Sequence, residues 1–566
     1  VEISSEVSQP DLAQVDAAPS DLIPSSLGPS GLAGALLFLR ASTSSGALES
    51  ALKAGGSKLR AQIGEWIVQL VPVENLVTDV HREWRPIVRD AMLFVIARLS
   101  AARLAAKIGE QLDLPPDASP ETRLLHLIAR VPGLQKIGQV LARNRGLDPR
   151  LRRALAELEN GISDAGIEEI HELIFRRLGK RVEKYAVRVE KTIFSEASVS
   201  AVVKFTWLNP ATCRRERGVF KVLKPYVRSC YAEDMSILQK LARHLARKHS
   251  GGSINLVSLS ETLADVRLLL EREVNFRREQ ATLAGLLEAY RAVPGVRVPR
   301  PIEPLCASDI TALTHENGVK VTEAFARPSL LHARVAERLA EALIAVPVLS
   351  TERRSIFHAD PHAGNVLYDR RRGELVILDW ALAEFLTREQ RRNVLMLTLS
   401  MALRDPASAA RTIERLLVTG RAGRKQASAI QRRVRDALEA MPRFHVAGPS
   451  DAMRLLNGLA LGGARFPAAL LMFRKATFTL EGVLEDIAGR AVELNSVVRN
   501  YSALHWLDSA SALVRLLSPF DWIFLEWSAL TFVPRWVVRT ALDLCTANWS
   551  GDSRALPPAQ RLQLAE

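Results

Sequence analysis

The sequence predicts an α+β fold dominated by helix, and three observations carry that expectation. Leu, Ala and Arg lead a composition that is 48% hydrophobic and 24% charged, which favours helix over sheet. One region, starting near Thr192, is strand-rich. The long stretches on either side of it repeat their apolar residues at helical spacing. With 566 residues the chain can bury a substantial core divided among about two to four structural units.

Residues 1 to about 30 are rich in Ser, Pro and Gly and read as a mobile arm. Amphipathic helices follow from about 50 to 112, ended by the adjacent prolines of LPPDASP. Helix resumes from 121 to 188. TIFSEASVSAVVKFTWL and GVFKVLK, separated by the polar NPATCRRER, read as an antiparallel hairpin with a long turn. After two helical stretches, VPGVRVPRPIEPL and ITALTHENGVKVTE read as short strands, the first limited by proline as edge strands often are. From 387 to about 545 the pattern is again helical, with no fixed-period repeat. The expected divisions are an N-terminal arm (1–49), a helical extension (50–190), a sheet-bearing part with a helical insertion (191–325) and a helical part to the end (326–566).

The formal charge of +14 admits nucleic acid, anionic lipid or phosphate-bearing small molecules as partners. Basic residues are dispersed, without aromatic interleaving or zinc-finger spacing, so nucleic acid is disfavoured. Cys213, Cys230, Cys306 and Cys545 lie far apart and fit no CxxC pattern, which points to a reducing compartment. The first residue is Val, so an upstream targeting segment stays open. No stretch reads as a membrane span. The apolar run SPFDWIFLEWSALTFVPRWVVRTALDL is interrupted by Asp521, Glu526, Pro534 and Arg535, and it fits peripheral attachment or a buried helix pair.

The chemistry concentrates in IFHADPHAGNVLYDRRRGELVILDW, Ile356 to Trp380. VLYD and ELVILD flank a basic turn and predict a hairpin that leaves Asp379 at a strand end. Asp360 and Asn365 sit in the preceding loop, where Pro361 restricts the backbone and Gly364 releases it. Asn365 and Asp379 offer the oxygen ligands that Mg²⁺ takes, and Asp360 would orient an acceptor hydroxyl, a phosphoryl-transfer arrangement. The plainer reading is that Asp360 and Asn365 cap turns while Asp379 ends a strand. Upstream, Lys221 stands on a strand between apolar neighbours, where burial without an anion is costly. Glu271, Glu273 and Glu279 lie on predicted helix and compete as its partner. No GxGxxG occurs; Ser195–Val203, SEASVSAVV, stands in its place with small side chains but without glycine.

Together these segments resemble the ABC1/UbiB/ADCK/AarF group of atypical kinase-like proteins, from about Leu134 to Ala383. HADPHAGNVL is similar to the group's HxDPHPGN loop, with Ala363 in place of Pro. ILDWALA resembles its DFG segment, with Trp380 and Ala381 in place of Phe and Gly. FKVLKP resembles VKVxRP and gives Lys221 as the nucleotide lysine. EREVNFRRE resembles ExDFxxE, with Glu273 as first acid, Glu279 as the lysine partner and Asn275 where Asp is usual. Lys136, Gly138 and Gln139 match the KxGQ motif, and Ala197 and Ser198 match the Ala-rich loop.

The resemblance implies a protein-kinase-like, bilobal fold: a small antiparallel sheet plus a large helical lobe, with a helical N-terminal extension and additional C-terminal helices. It implies ATP or ADP with Mg²⁺, or Mn²⁺ in its place, and an intracellular or organellar protein peripheral to a membrane. Anionic membrane or prenyl lipid and lipid-metabolism proteins become the expected partners. Asp360, Lys221 and Glu279 take the catalytic roles, Asn365 and Asp379 the metal, and Ala197, Ser198 and Lys221 the nucleotide. Lys136, Gly138, Gln139, Glu273 and Asn275 are the group-specific positions. The expected function is an atypical kinase or ATPase supporting isoprenoid-quinone or other lipid metabolism; the alternative is a nucleotide-binding, membrane-associated scaffold with little turnover.

Overall fold

A computed structural model describes residues 46–142, 165–249, 256–291, 293–324, 330–442 and 445–550, with a few isolated positions before and between them. The expected arm over residues 1–30 lies outside the described residues. The chain divides into two compact units, residues 1–277 with 302–313, and residues 278–301 with 314–566. Both are mostly helical and both contain a small sheet, as an α+β fold requires.

In the first unit, helices α1 (Ala47–Ala54), α2 (Gly56–Leu70), α3 (Arg85–Arg98), α4 (Ala101–Asp113), α5 (Pro120–Ile128) and α6 (Pro132–Ala142) precede α7 (Ile167–Leu178). Strands β1 (Arg188–Glu196), β2 (Ser200–Asn209) and β3 (Arg214–Leu223) follow, then α8 (Pro225–Lys248), α9 (Leu256–Glu273) and α10 (Phe276–Tyr290), the last crossing the boundary at Arg277. After β4 (Val296–Arg297), which belongs to the second unit, β5 (Ile310–Thr314) closes a sheet of order β1-β2-β3-β5. The stretch read as one strand before NPATCRRER is therefore two, parted at Ala197–Val199. The turn after it is short, because Arg214–Arg217 pair with Thr206–Asn209. Asn209 makes this tight turn by accepting the Ala211 amide on its own side chain, 3.0 Å. Gly218 faces Phe205 across the pair, and a Cβ there would lie 2.4 Å from that ring. Its absence lets Phe205 stack on Phe220 at 3.8 Å.

Leu59, Ile63, Phe94, Leu104, Leu238 and Leu241 belong to a helical core built from α2, α3, α4 and α8. A cavity of about 280 Å³ lies among these helices, walled by Ile67, Trp84, Met92, Ile137, Leu241 and Val266. Lys107 is a charged residue on its lining, and it spends its ammonium on Glu110 at 2.6 Å and the His126 carbonyl at 2.7 Å.

In the second unit, β6 (Val319–Lys320), α11 (Leu330–Ala340), β7 (Arg354–His358), β8 (Val366–Asp369), β9 (Glu374–Ile377) and β10 (Ala383–Thr387) lead into a helical run. The run comprises α12 (Arg388–Ala402), α13 (Pro406–Leu416), α14 (Arg424–Ala440), α15 (Pro449–Leu461), α16 (Ala468–Ala488), α17 (Leu494–Leu504), α18 (Trp506–Leu516) and α19 (Pro519–Ser550). One sheet runs β4-β9-β8-β6 and a second pairs β10 with β7. The expected hairpin is present as β8–β9, and Asp369 shapes its basic turn by accepting the Arg371 amide at 3.0 Å. The proline-limited β4 is an edge strand as its sequence predicted, although it pairs with β9 in parallel.

α19 joins the unit through paired charges. Arg392 of α12 grips both Asp521 oxygens, at 2.6 and 2.9 Å. Among the described residues no helix is long and apolar enough to cross a membrane.

Candidate functional site

The residues singled out above divide between the two units. In the first, Lys221 lies on β3 opposite Val202, between the fully buried Phe220 and Val222. Only 9% of Lys221 is exposed, and its ammonium stands 5.8 Å from the Phe276 ring centroid, within cation–π range. Lys224, one turn of the chain further on and fully buried, pairs with Glu196 at 2.9 Å. That pair ties the end of β3 to the end of β1. The Ala197–Val199 turn is pinned from both sides, Ala197 N–H donating to Ser200 O and Lys224 N–H to Val199 O. Backbone bonds thus hold this turn in shape, which glycine-rich sequence would otherwise leave loose.

Glu273, the last residue of α9, is where three elements meet. Its carboxylate accepts from the Lys136 ammonium of α6 and from the Ser198 hydroxyl, the latter at 3.4 Å. The KxGQ lysine is nearly buried and paired. Gly138 is buried on the same helix and borders the cavity, Gln139 is half-buried beside it, and Asn275 is exposed between α9 and α10. α6 is held at its start by the Gly133 amide, which donates to Asp234 at 2.8 Å. Burial raises the Asp234 pKa, and the opposing pull of Arg103, 2.7 Å away, and of Gly133 does not cancel it. Among the three candidate glutamates, Glu271 is exposed, Glu273 is engaged with Lys136, and Glu279 is 2% exposed in the first turn of α10. A carboxylate in that turn is favoured by the helix dipole. Glu279 belongs to the second unit and Lys221 to the first.

The second unit holds Asp360, Asn365 and Leu378, the residue before Asp379, on one hydrogen-bonded frame. Asn365 donates its side-chain amide to the Asp360 carbonyl at 3.2 Å, and its own carbonyl accepts the Leu378 amide at 2.8 Å. His358, at the end of β7, closes the frame: Nδ1 accepts the Asp360 amide at 3.1 Å while Nε2 donates to the Leu378 carbonyl at 3.0 Å. Accepting at Nδ1 while donating from Nε2 needs the neutral ring. Burial supplies it by pulling the His358 pKa down, against the upward pull of the Leu378 carbonyl and of Asp360 and Asp379.

Asp379 takes a left-handed backbone, φ 49°, and accepts the Ala381 amide at 3.4 Å. Aspartate tolerates that conformation better than most residues. Ala381 is outside the positive-φ region, so glycine's freedom is not required there. Trp380 is 1% exposed, donates its indole N–H to the Ile377 carbonyl at 3.0 Å, and packs on His358 and Tyr290. The two departures from the DFG pattern are both accommodated. No cluster of three or more His, Cys, Asp or Glu suited to a metal occurs among the described residues. Asn365 and Asp379 are hard oxygen donors, a partial set that suits Mg²⁺ when phosphate oxygens and water complete its octahedron.

One residue escaped the sequence reading. Lys475, in the middle of α16, places its ammonium 3.0 Å from Asp360 Oδ1. Its only signal is a pair of adjacent cations, Arg474 and Lys475, inside the apolar segment AALLMFRKATFTL, and no spacing rule connects that segment to the loop.

Comparison with known proteins places this site in context. Residues 157–413 match the ABC1 atypical kinase-like domain. An uncharacterized protein of Mycobacterium tuberculosis is 26% identical over 256 residues, 44% of this chain and 50% of that protein. A probable protein kinase UbiB of Xylella fastidiosa is 27% identical over 279 residues, 48% of this chain and 47% of that protein. The chain thus spans about half the length of these curated relatives. The solved complex of the Mycobacterium tuberculosis protein Rv3197 with erythromycin covers 68% of this chain and 94% of its own, at 18% identity and a TM-score of 0.39, too low to carry a conclusion.

Proposed function

The chain belongs to the ABC1/UbiB domain family, and from that premise we propose that it is an ATP-dependent atypical kinase or ATPase working at a membrane in isoprenoid-quinone or other lipid metabolism. The observation that carries the reading is the hydrogen-bonded frame in which His358 and Asn365 each bridge Asp360 to Leu378, the residue before Asp379. In this proposal Lys221 holds the nucleotide phosphates. The Ala197–Ser198 turn borders the phosphates. Asn365 and Asp379 hold Mg²⁺ or Mn²⁺, which when bound neutralises charge on the phosphate oxygens. Asp360 orients the acceptor hydroxyl or water.

Two features support a membrane partner. The net charge of +14 favours anionic surfaces. Phe520, Ile523, Trp527 and Leu530 recur at helical spacing along α19 and all are exposed, an apolar stripe suited to lie in a lipid interface.

Nucleotide turnover by the purified chain with Mg²⁺, with and without anionic liposomes, tests the proposal. Turnover is expected to fall at least about 100-fold in Asp379→Asn and in Lys221→Ala, and the first variant also controls for contaminating ATPases. Binding of ATP without turnover would leave a nucleotide-responsive scaffold as the reading. Failure to co-sediment with liposomes, together with unchanged activity, would remove the membrane part.

A further inference from the structure

The loop from His358 to Asn365, HADPHAGN, contains no lysine or arginine, and its first histidine is held neutral. Phosphoryl transfer spreads negative charge over the equatorial oxygens of the moving group, and fixed positive charge beside that group is a principal means of accelerating it. A side-chain cation beside Asp360, in addition to the metal and Lys221, would therefore come from another element. We propose that Lys475 is that cation: a positioning residue that fixes the Asp360 carboxylate toward the acceptor and brings positive charge beside the terminal phosphoryl group. The proposal rests on the enzyme reading above.

Three features distinguish Lys475 from an incidental surface charge. Its side chain is 28% exposed and that of Asp360 14%, so the pair is partly shielded rather than waving in solvent. Its helix is firmly seated, with Leu470, Met472, Phe473, Ala476 and Leu480 buried. Phe473 meets Phe357 edge-on at 5.2 Å, which fastens α16 to the strand that leads directly into the loop. A functional group delivered by a packed helix holds its place better than one delivered by a loop. A partly exposed ion pair also contributes little to stability, so stability alone is a weak reason to keep a lysine against this carboxylate.

In the step this arrangement serves, the acceptor oxygen bonds to the γ-phosphorus of ATP while the bond to the bridging oxygen breaks. The electron pair leaves with ADP and the acceptor proton passes to Asp360. With water as acceptor the products are ADP and phosphate. Lys475 exchanges nothing in this step. Its ammonium lies 3.0 Å from Asp360 Oδ1 and so favours the carboxylate orientation that faces the acceptor.

The test compares wild type, Lys475→Met and Lys475→Arg as purified full chains with Mg-ATP. Lys475→Met is expected to lower kcat about 10- to 100-fold with KM within about threefold, without moving the thermal midpoint; Lys475→Arg is expected to recover most of kcat. Combining Lys475→Met with Asp360→Asn is expected to cost little beyond Asp360→Asn alone, because the lysine acts through that carboxylate. Unchanged kcat in Lys475→Met would reduce the contact to a surface ion pair, and increased kcat would make it a latch; either result overturns the proposal. A wild-type chain without turnover overturns the enzyme reading instead. In that case binding decides: Lys475→Met should weaken Mg-ATP at least about fivefold while sparing Mg-ADP, and equal effects on both overturn the role of Lys475.

Discussion

His358 shows how much of the site one side chain can hold. It lies between the amide of Asp360 and the carbonyl of Leu378, and protonation of Nδ1 destroys its ability to accept. Because burial depresses its folded pKa, the unfolded chain takes up this proton at higher pH than the folded one. The associated stability is complete above the ordinary histidine value of about 6.5 and is lost as pH falls through the lower folded value. The thermal midpoint is therefore expected to decline as pH drops from about 6.5 to 5, and to decline less in His358→Phe, whose starting stability is lower. Equal pH slopes in the two proteins would remove His358 as the cause. Asp360, Asn365 and Asp379 were legible because their order along the chain is itself a pattern. The role of His358 was not, since it depends on a partner brought close only by the β8–β9 hairpin. Lys475 was hidden for the same reason, one level further away.

At the scale of elements, α6 matters more than its sequence suggested. It is fixed at its first turn by Asp234 of α8 and near its middle by Glu273 of α9. Removing the Asp234 carboxylate takes from Arg103, whose own side chain is 13% exposed, its nearer acidic partner and leaves it with Glu233 at 3.3 Å. Asp234→Ala is accordingly expected to cost about 3 kcal/mol of unfolding free energy, measured by urea denaturation; a loss below about 0.5 kcal/mol would show that α6 does not depend on this anchor. Helical periodicity located the helix but could not reveal which of its polar residues are buried, because Lys136 and Gln139 read equally well as a solvated face. The strands were harder. A turn of small residues at Ala197–Val199 carries no glycine or proline to mark it, so β1 and β2 merged into one predicted strand.

For the whole molecule, composition and motif order were enough to predict helix around small sheets and the likeness to the ABC1 atypical kinase-like domain that residues 157–413 match. They did not anticipate that α10 would begin in one compact unit and continue in the other, with Glu279 two residues past the boundary, because local pattern holds no record of which contacts a helix makes along its length. Nor did they reveal the void of about 280 Å³ in the helical core of the first unit. Space that hydrocarbon does not fill is volume released when the helices separate, so compression works against this core more than against a tightly filled one. Under hydrostatic pressure the emission of Trp84, which borders the void, is expected to change before heat-resistant secondary structure is lost. Ala91→Phe, which adds a ring at the same wall, is expected to move that change to higher pressure. A variant as compressible as the parent would show that the space already holds other atoms. The space borders several helices of this unit, among them those that carry Lys136 and Glu273, making the unit a gauge of pressure as well as a frame for chemistry.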